Sequence, residues 1–142
     1  AEPSSDGLIY VCDRGADRIQ VFRTDGTFVK EGQVAPLTLA GSTWDISFSP
    51  DEAQEFIYVA DGGNFNIHIL DRDTLEVLAE FGEGGRQPGL FFAPHSIVTD
   101  SDGNIYTTET YEGKRVQKFI NRGMRPITEH RPGAPWPDSA LN

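Results

Sequence analysis

The sequence contains little cysteine, few basic residues and no long apolar run. Its 142 residues include a single cysteine, Cys12, which excludes an intramolecular disulfide and a zinc cage built from several thiolates. Lysine and arginine number 12 against 22 aspartate and glutamate residues, so the formal net charge is −10. Because nucleic-acid binding depends on basic groups that neutralise phosphates, we expect no nucleic-acid partner. We also expect no membrane span, since no apolar run approaches the roughly 20 residues that a helix needs to cross a bilayer.

The sequence does contain a repeat of 48 residues. An apolar segment that ends in an acidic residue occurs at residues 9–13, 57–61 and 105–109. A second segment, in which apolar and polar residues alternate, follows each copy at residues 18–22, 66–70 and 115–119. Turns rich in Asp, Asn and Gly and further short apolar segments complete a predicted set of four antiparallel strands in each repeat.

Four short strands in each repeat of 40 to 50 residues are typical of β-propeller blades. We therefore predict an all-β fold with four-stranded blades, of which this chain holds about two and a half. The strands of a blade are named a to d from the central channel outward. The predicted propeller portion is residues 6–125, with strands b to d of the first blade in 6–32, the second blade in 40–82, the third blade in 93–125, and an extended tail over 126–142. Since propellers close with about 4–8 blades, we expect the remaining blades to come from the same longer chain or from other subunits.

The blade pattern resembles the NHL repeat of six-bladed propellers over about residues 6–119. The residues that carry this likeness are Pro94-His95-Ser96-Ile97, Asp102-Gly103-Asn104-Ile105-Tyr106 and Arg115-Val116-Gln117-Lys118-Phe119. Asp13-Arg14, the segment 18–25 and Pro94-His95 look most like the C-terminal part of the peptidyl-α-hydroxyglycine α-amidating lyase group and its uncharacterised bacterial relatives. This resemblance implies a secreted or periplasmic protein.

The resemblance to the lyases also implies metal ions. In that group three histidines hold a zinc ion in the central cavity, and a calcium ion lies nearby. His95 matches one of the histidines, whereas the other two, together with the catalytic tyrosine and arginine, would lie upstream of Ala1. The methionine that precedes the Pro-His pair in the lyases is Ala93 here, and the calcium-binding aspartate that follows it is Ser96. No catalytic residue is therefore assigned within this chain.

One rim of the propeller is the predicted binding face. In a blade, the loop from strand b to strand c and the loop from strand d to the next strand a open on the same side. We expect a peptide, a small molecule or a protein to bind there. The candidate ligand-binding residues are Asp13, Arg14, Trp44, Asp45, Asp61 and Glu109, and the candidate metal ligand is His95.

Several of these candidates also have a structural interpretation. Asp13, Asp61 and Glu109 recur at one position of the repeat. They either organise the turn by accepting backbone N–H bonds or form a ring of carboxylates that binds a cation. Arg14 has no counterpart in the other repeats, so it is either a site residue or the ion-pair partner of Asp13 or Asp17.

Three functions from different classes remain open. The first is a propeller scaffold that binds a ligand or a protein through its loop face. The second is part of a zinc-dependent amidating-lyase-like enzyme, in which His95 would be a metal ligand rather than a histidine that only hydrogen-bonds a neighbouring blade. The third is a structural propeller subunit of a larger assembly, which the apparent lack of strand a in the first blade favours.

Overall fold

The protein folds into three antiparallel β-sheets that follow one another along the chain. The structure is a computed structural model and describes residues 1–123. The first sheet contains β1 (Glu2–Pro3), β2 (Leu8–Asp13), β3 (Arg18–Arg23) and β4 (Phe28–Gln33), the second contains β5 (Asp45–Phe48), β6 (Phe56–Asp61), β7 (Asn66–Asp71) and β8 (Val77–Phe81), and the third contains β9 (Pro94–Thr99), β10 (Ile105–Glu109) and β11 (Val116–Phe119). Strand order within each sheet follows the chain. The described residues contain a single helical element, a 3₁₀ turn at Arg14–Ala16. No helix among them is long and apolar enough to cross a membrane.

The predicted all-β fold with blade-like sheets is confirmed, with one correction in the first blade. We predicted that this blade lacks its inner strand, but Glu2 pairs with Tyr10 and Pro3 pairs with Ile9. Two paired residues are too few to show an alternating pattern, and a proline is tolerated on an edge strand because its missing N–H would face solvent. The predicted tail, residues 126–142, lies outside the described part of the chain.

The middle sheet packs against both of its neighbours. Because successive side chains of a strand point to opposite faces, Val59 of β6 joins the core shared with the first sheet and Ala60 joins the core shared with the third. The first core contains Tyr10, Ile19, Val21, Val34, Ile46, Phe48, Ile57, Val59, Leu70 and Leu75. The second core contains Ala60, Ile67, Phe91, Ile97 and Ile105. Sheets stacked in this way bring equivalent ends of neighbouring blades together.

Hydrogen bonds hold the inner strand β5 of the second sheet next to the inner strand β9 of the third. The backbone N–H of Ile97 donates to Asp45 Oδ2 at 3.0 Å, and the backbone N–H of Thr99 donates to Ser47 Oγ at 3.1 Å. These bonds set the relative position of the two strands along their length. The residues at the starts of β5 and β9 therefore lie next to each other.

Candidate functional site

Arg14, Trp44 and His95 meet at one rim, as the predicted loop arrangement requires. Arg14 begins the 3₁₀ turn after β2, Trp44 immediately precedes β5, and His95 is the second residue of β9. The Arg14 Cζ atom lies 3.5 Å from the centroid of the Trp44 ring, which is a cation–π contact. The rings of Trp44 and His95 meet edge to face, with centroids 5.5 Å apart and an interplanar angle of 83°. We call these three residues the loop-face cluster.

Two glycines make room for this cluster. A Cβ atom at Gly62 would lie only 2.5 Å from the Trp44 ring, so glycine is what allows the indole to pack against this segment. Gly41 has a φ of 77°, which glycine adopts without strain, and its carbonyl accepts the indole N–H of Trp44 at 2.5 Å. The Trp44 side chain is therefore held from two loops and presents a fixed surface to Arg14.

The Arg14 guanidinium has no ionic partner among residues 1–123. Its Nε donates to the Ala40 carbonyl at 2.9 Å, and its side chain is otherwise exposed. The alternative that Arg14 pairs with Asp13 or Asp17 is not what the structure shows. Asp17 instead accepts the backbone N–H groups of Thr38 and Ser42, at 3.0 and 2.8 Å. A solvent-facing cation on an aromatic ring is thus the main polar feature of the cluster.

The acids that recur at the ends of the second strands are engaged within their own blades. Asp13 Oδ2 accepts the Arg18 Nε–H at 2.9 Å, and this bond raises the pKa of the Arg18 guanidinium. Glu109 is buried and accepts the Arg115 Nε–H at 2.7 Å. Both partners are arginine side chains, whereas the turn-organising alternative predicted bonds from backbone N–H groups of the turn. A role of Asp13 and Glu109 in ligand binding stays a prediction.

Asp61 is fully buried and, like Glu109, accepts three hydrogen bonds. Its Oδ1 accepts the backbone N–H of Asn64 at 2.9 Å, and its Oδ2 lies 2.9 Å from His68 Nε2. Asp45, the remaining predicted acid, accepts the Ile97 N–H and holds the second and third sheets together. The structure thus places both carboxylates in structural bonds and outside the loop-face cluster.

Cys12 lies two residues before the 3₁₀ turn that carries Arg14. Burial raises the pKa of its thiol to about 11. The thiol therefore stays protonated at neutral pH, and a protonated thiol is a poor nucleophile. This excludes Cys12 as the reactive group of the rim.

Among residues 1–123, no three His, Cys, Asp or Glu side chains come together in a metal-ligating arrangement. His95 is exposed, and its Nδ1 lies 3.5 Å from Ser96 Oγ. The described residues therefore do not form a complete zinc or calcium site by themselves, because a zinc site needs three or four protein ligands. Zinc at His95 and a nearby calcium stay predictions.

The polar group around His68 was not predicted from the sequence. This side chain is only 3% exposed, and it lies between the buried Asp61 and Glu80, whose Oε2 is 3.4 Å from His68 Nδ1. The signal that could have revealed it is a break in the repeat. Where the other two repeats have Arg18 and Arg115 after the recurring acid, this one has Asn66.

No protein-family model matches this chain. Two solved structures are similar to it in fold. Hydrazine synthase of Kuenenia stuttgartiensis superimposes with a TM-score of 0.61 at 18% identity, over 82% of this chain and 32% of that one. A streptogramin B lyase structure gives a TM-score of 0.55 at 16% identity, over 85% of this chain and 39% of that one. The chain thus spans about a third of the first neighbour's length and about two fifths of the second's, and both neighbours are β-propeller proteins. This chain has the β-propeller fold and supplies three consecutive blades of it, the third with three strands among the described residues.

Proposed function

We propose that this chain is part of an NHL-type β-propeller that binds a ligand or a protein through its loop-face cluster. The observation that carries the proposal is the exposed Arg14 guanidinium, which stacks on Trp44 without an ionic partner among the described residues. Binding residues are commonly placed on loops that a rigid scaffold positions, and the three stacked sheets supply such a scaffold. The resemblance of the blade pattern to NHL propellers and to the amidating lyases supports a secreted or periplasmic location.

The chemistry of the cluster favours a ligand with a carboxylate. Arginine presents a planar set of donors that matches a carboxylate, and the neighbouring His95 imidazole can add one more donor. The Trp44 ring offers an apolar surface for the rest of the ligand. A peptide with a free C-terminal carboxylate combines these features, and so does a small organic acid.

The Arg14→Gln variant tests this function in the full-length protein. We expect a mixed tripeptide library with free C-terminal carboxylates to shift the indole N–H resonance of Trp44, and the variant to bind about tenfold more weakly because it loses a charge-assisted hydrogen bond. Arg23→Gln is the matched control, since it removes an equal charge from an exposed position at the other end of β3. Equal binding by the wild type and the Arg14 variant, or equal binding of the C-terminally amidated library, would contradict the proposal.

Further blades would cover the open face of the third sheet. Val98, Val116 and Ile120 are 57%, 68% and 51% exposed there. Tyr10 and Tyr58, which occupy equivalent positions of the repeat, pack into the cores that their sheets share with the following sheet. The third member of the series, Tyr106, has no following sheet among the described residues. The remaining blades, from the same longer chain or from other subunits, would bury this face.

A second candidate function is a zinc-dependent, amidating-lyase-like activity. The exposed imidazole of His95 at the start of an inner strand favours it. The described residues add no second zinc ligand beside His95, so the other ligands would have to come from other blades. Stoichiometric zinc in the full-length protein that is lost in His95→Ala, but kept in His68→Ala, is the expected result of this hypothesis. Metal content that does not depend on His95 would rule it out.

A further inference from the structure

A pocket that none of the three loop-face cluster residues lines opens beside the loop of residues 35–40. Its volume is about 540 Å³, and it lies between the loop of residues 35–40 and the strands β7 and β8. Pro36, Leu37 and Leu39 contribute apolar groups to its wall, and Leu37 and Leu39 are almost completely exposed. Asn66, His68 and Glu80 contribute the polar groups at its base.

In the neighbouring blades, an arginine side chain occupies the equivalent space. Strand pairing places Arg18 opposite Asp13 in the first blade and Asn66 opposite Asp61 in the second. In the third blade, Glu109 donates its backbone N–H to the carbonyl of Arg115 across the same hairpin. The corresponding residues at this position are thus arginine, asparagine and arginine.

The two arginines show what this space holds when it is filled. Arg115 donates from Nε to the buried Glu109, and its terminal nitrogens donate to the carbonyls of Arg86 and Leu90 in the loop that precedes its blade. Arg18 donates from Nε to Asp13 and from NH1 to Glu31 of the outer strand, at 2.9 and 3.1 Å. In the second blade, the preceding loop is the segment 35–40, which lines the pocket. The pocket therefore corresponds to the place of the missing guanidinium.

Asparagine is too short to make these contacts, and buried polar atoms are left without partners. Asn66 Nδ2 reaches Glu80 Oε2 at 3.3 Å, but Asn66 Oδ1 is buried with no partner. His68 Nδ1 is also buried with no hydrogen-bond partner. Since the Asp61 carboxylate only accepts, His68 Nε2 carries the hydrogen of their bond, while Nδ1 lies 3.4 Å from Glu80 Oε2 without a hydrogen bond. Buried polar atoms without partners are rare in folded proteins and call for a physical explanation.

We propose that this pocket binds a guanidinium group, as carried by an arginine side chain of a bound peptide. Glu80, whose side chain is about half exposed, would turn toward the ligand as the anionic partner, as Glu31 does for Arg18 in the first blade. Pro36, Leu37 and Leu39 would contact the aliphatic part of the arginine side chain. An arginine can pack its methylene groups against an apolar surface while its guanidinium forms hydrogen bonds to polar groups. The net charge of −10 also favours a cationic ligand.

The test titrates the full-length protein with Nα-acetyl-arginine N-methylamide as the probe. Binding is measured by NMR at pH 7.5. We expect saturable binding in the millimolar range, with shifts confined to residues 35–40 and to Asn66, His68 and Glu80. Nα-acetyl-citrulline N-methylamide has nearly the same shape without the charge and is expected to bind at least about tenfold more weakly. No saturable binding of the arginine probe, or equal binding of the citrulline probe, would overturn the proposal.

Two variants locate the binding in this pocket. Asn66→Arg restores the internal guanidinium, so it should abolish probe binding and raise the midpoint of thermal unfolding, whereas Ser101→Arg adds the same charge at an exposed turn and should change neither. Glu80→Gln should weaken binding about tenfold, whereas Glu76→Gln at the other end of the β7–β8 hairpin should leave it unchanged. Undiminished binding by both Asn66→Arg and Glu80→Gln would refute the site.

The pocket and the loop-face cluster can be tested separately. Arg14→Gln should leave the affinity for the arginine probe unchanged, because Arg14 does not line the pocket and touches its wall only through the bond to the Ala40 carbonyl. Loss of probe binding in Arg14→Gln, with normal binding in Glu80→Gln, would place the arginine site at the loop-face cluster and overturn the assignment to this pocket.

Discussion

Replacing Asp61 with alanine is expected to lower the free energy of unfolding by about 3–5 kcal/mol. The carboxylate is fully buried and accepts bonds from the Asn64 backbone, the Asn64 amide and the His68 ring. Without it the His68 ring, which is 3% exposed, would lose its acceptor and carry a desolvation penalty, and the two Asn64 donors would lose theirs. Because the stability of a domain is typically about 5–15 kcal/mol, this one change would remove a large part of it. Urea denaturation of the wild type and the variant measures the difference.

Asp13 provides the matched control at the equivalent position of the first blade. Its side chain is 35% exposed and pairs with Arg18 at 2.9 Å. Because solvent screens an exposed ion pair, Asp13→Ala should cost about 0.2–1 kcal/mol. If the two variants lost the same stability, burial would not be what separates these two acids.

Replacing Phe91 with alanine is expected to destabilise the protein by about 3–5 kcal/mol. Phe91 has no exposed surface and lies in the core between the second and third sheets. Its ring is 5.5 Å from that of Phe119 and 6.2 Å from that of Phe81. The loss should combine the transfer free energy of the ring with the cost of the cavity that remains, because rigid sheets collapse only in part around it.

The effect of Phe91→Ala should also be local to the third sheet. Hydrogen exchange should show the amides of β10 losing more protection than those of β3, which belongs to the other core. Phe28→Ala is the control, since Phe28 is 51% exposed and, among the aromatic residues of the described part of the chain, contacts only the ring of Phe22. It should cost about 1 kcal/mol or less. A Phe91 variant as stable as the Phe28 variant would mean that the two sheets do not depend on this core.

The acid that recurs in the repeat thus serves a structural purpose in each of the three described blades. The acid at the end of each second strand is bonded to a residue of the facing strand in all three blades, which is a structural use. The two candidate binding features lie where the repeat is broken instead. Arg14 stands where the other blades have Gly62 and Thr110, and Asn66 stands where they have arginine. Departures from a repeat are the places where a common fold acquires individual chemistry.

The sequence by itself was enough to predict the fold and the location of the rim. Alternating apolar residues specify strands because one face of each strand is buried, and a 48-residue spacing repeats the same unit. Chain order then determines which loops open on the same side, so Arg14, Trp44 and His95 could be assigned to one rim. The strand Glu2–Pro3 was not predicted, because two residues are too few to show an alternation of apolar and polar side chains.

The tertiary structure alone decided which side chains pair with one another. Arg14 could have paired with Asp13 or Asp17, but Arg18 binds Asp13, and the N–H groups of a distant loop bind Asp17.

The burial of Asp61 and His68, and the pocket beside Asn66, likewise depend on how the loop 35–40 packs against the second blade. These contacts join residues more than twenty positions apart. Local patterns specify strands and turns, whereas the distances between such residues are set by the stacking of whole sheets.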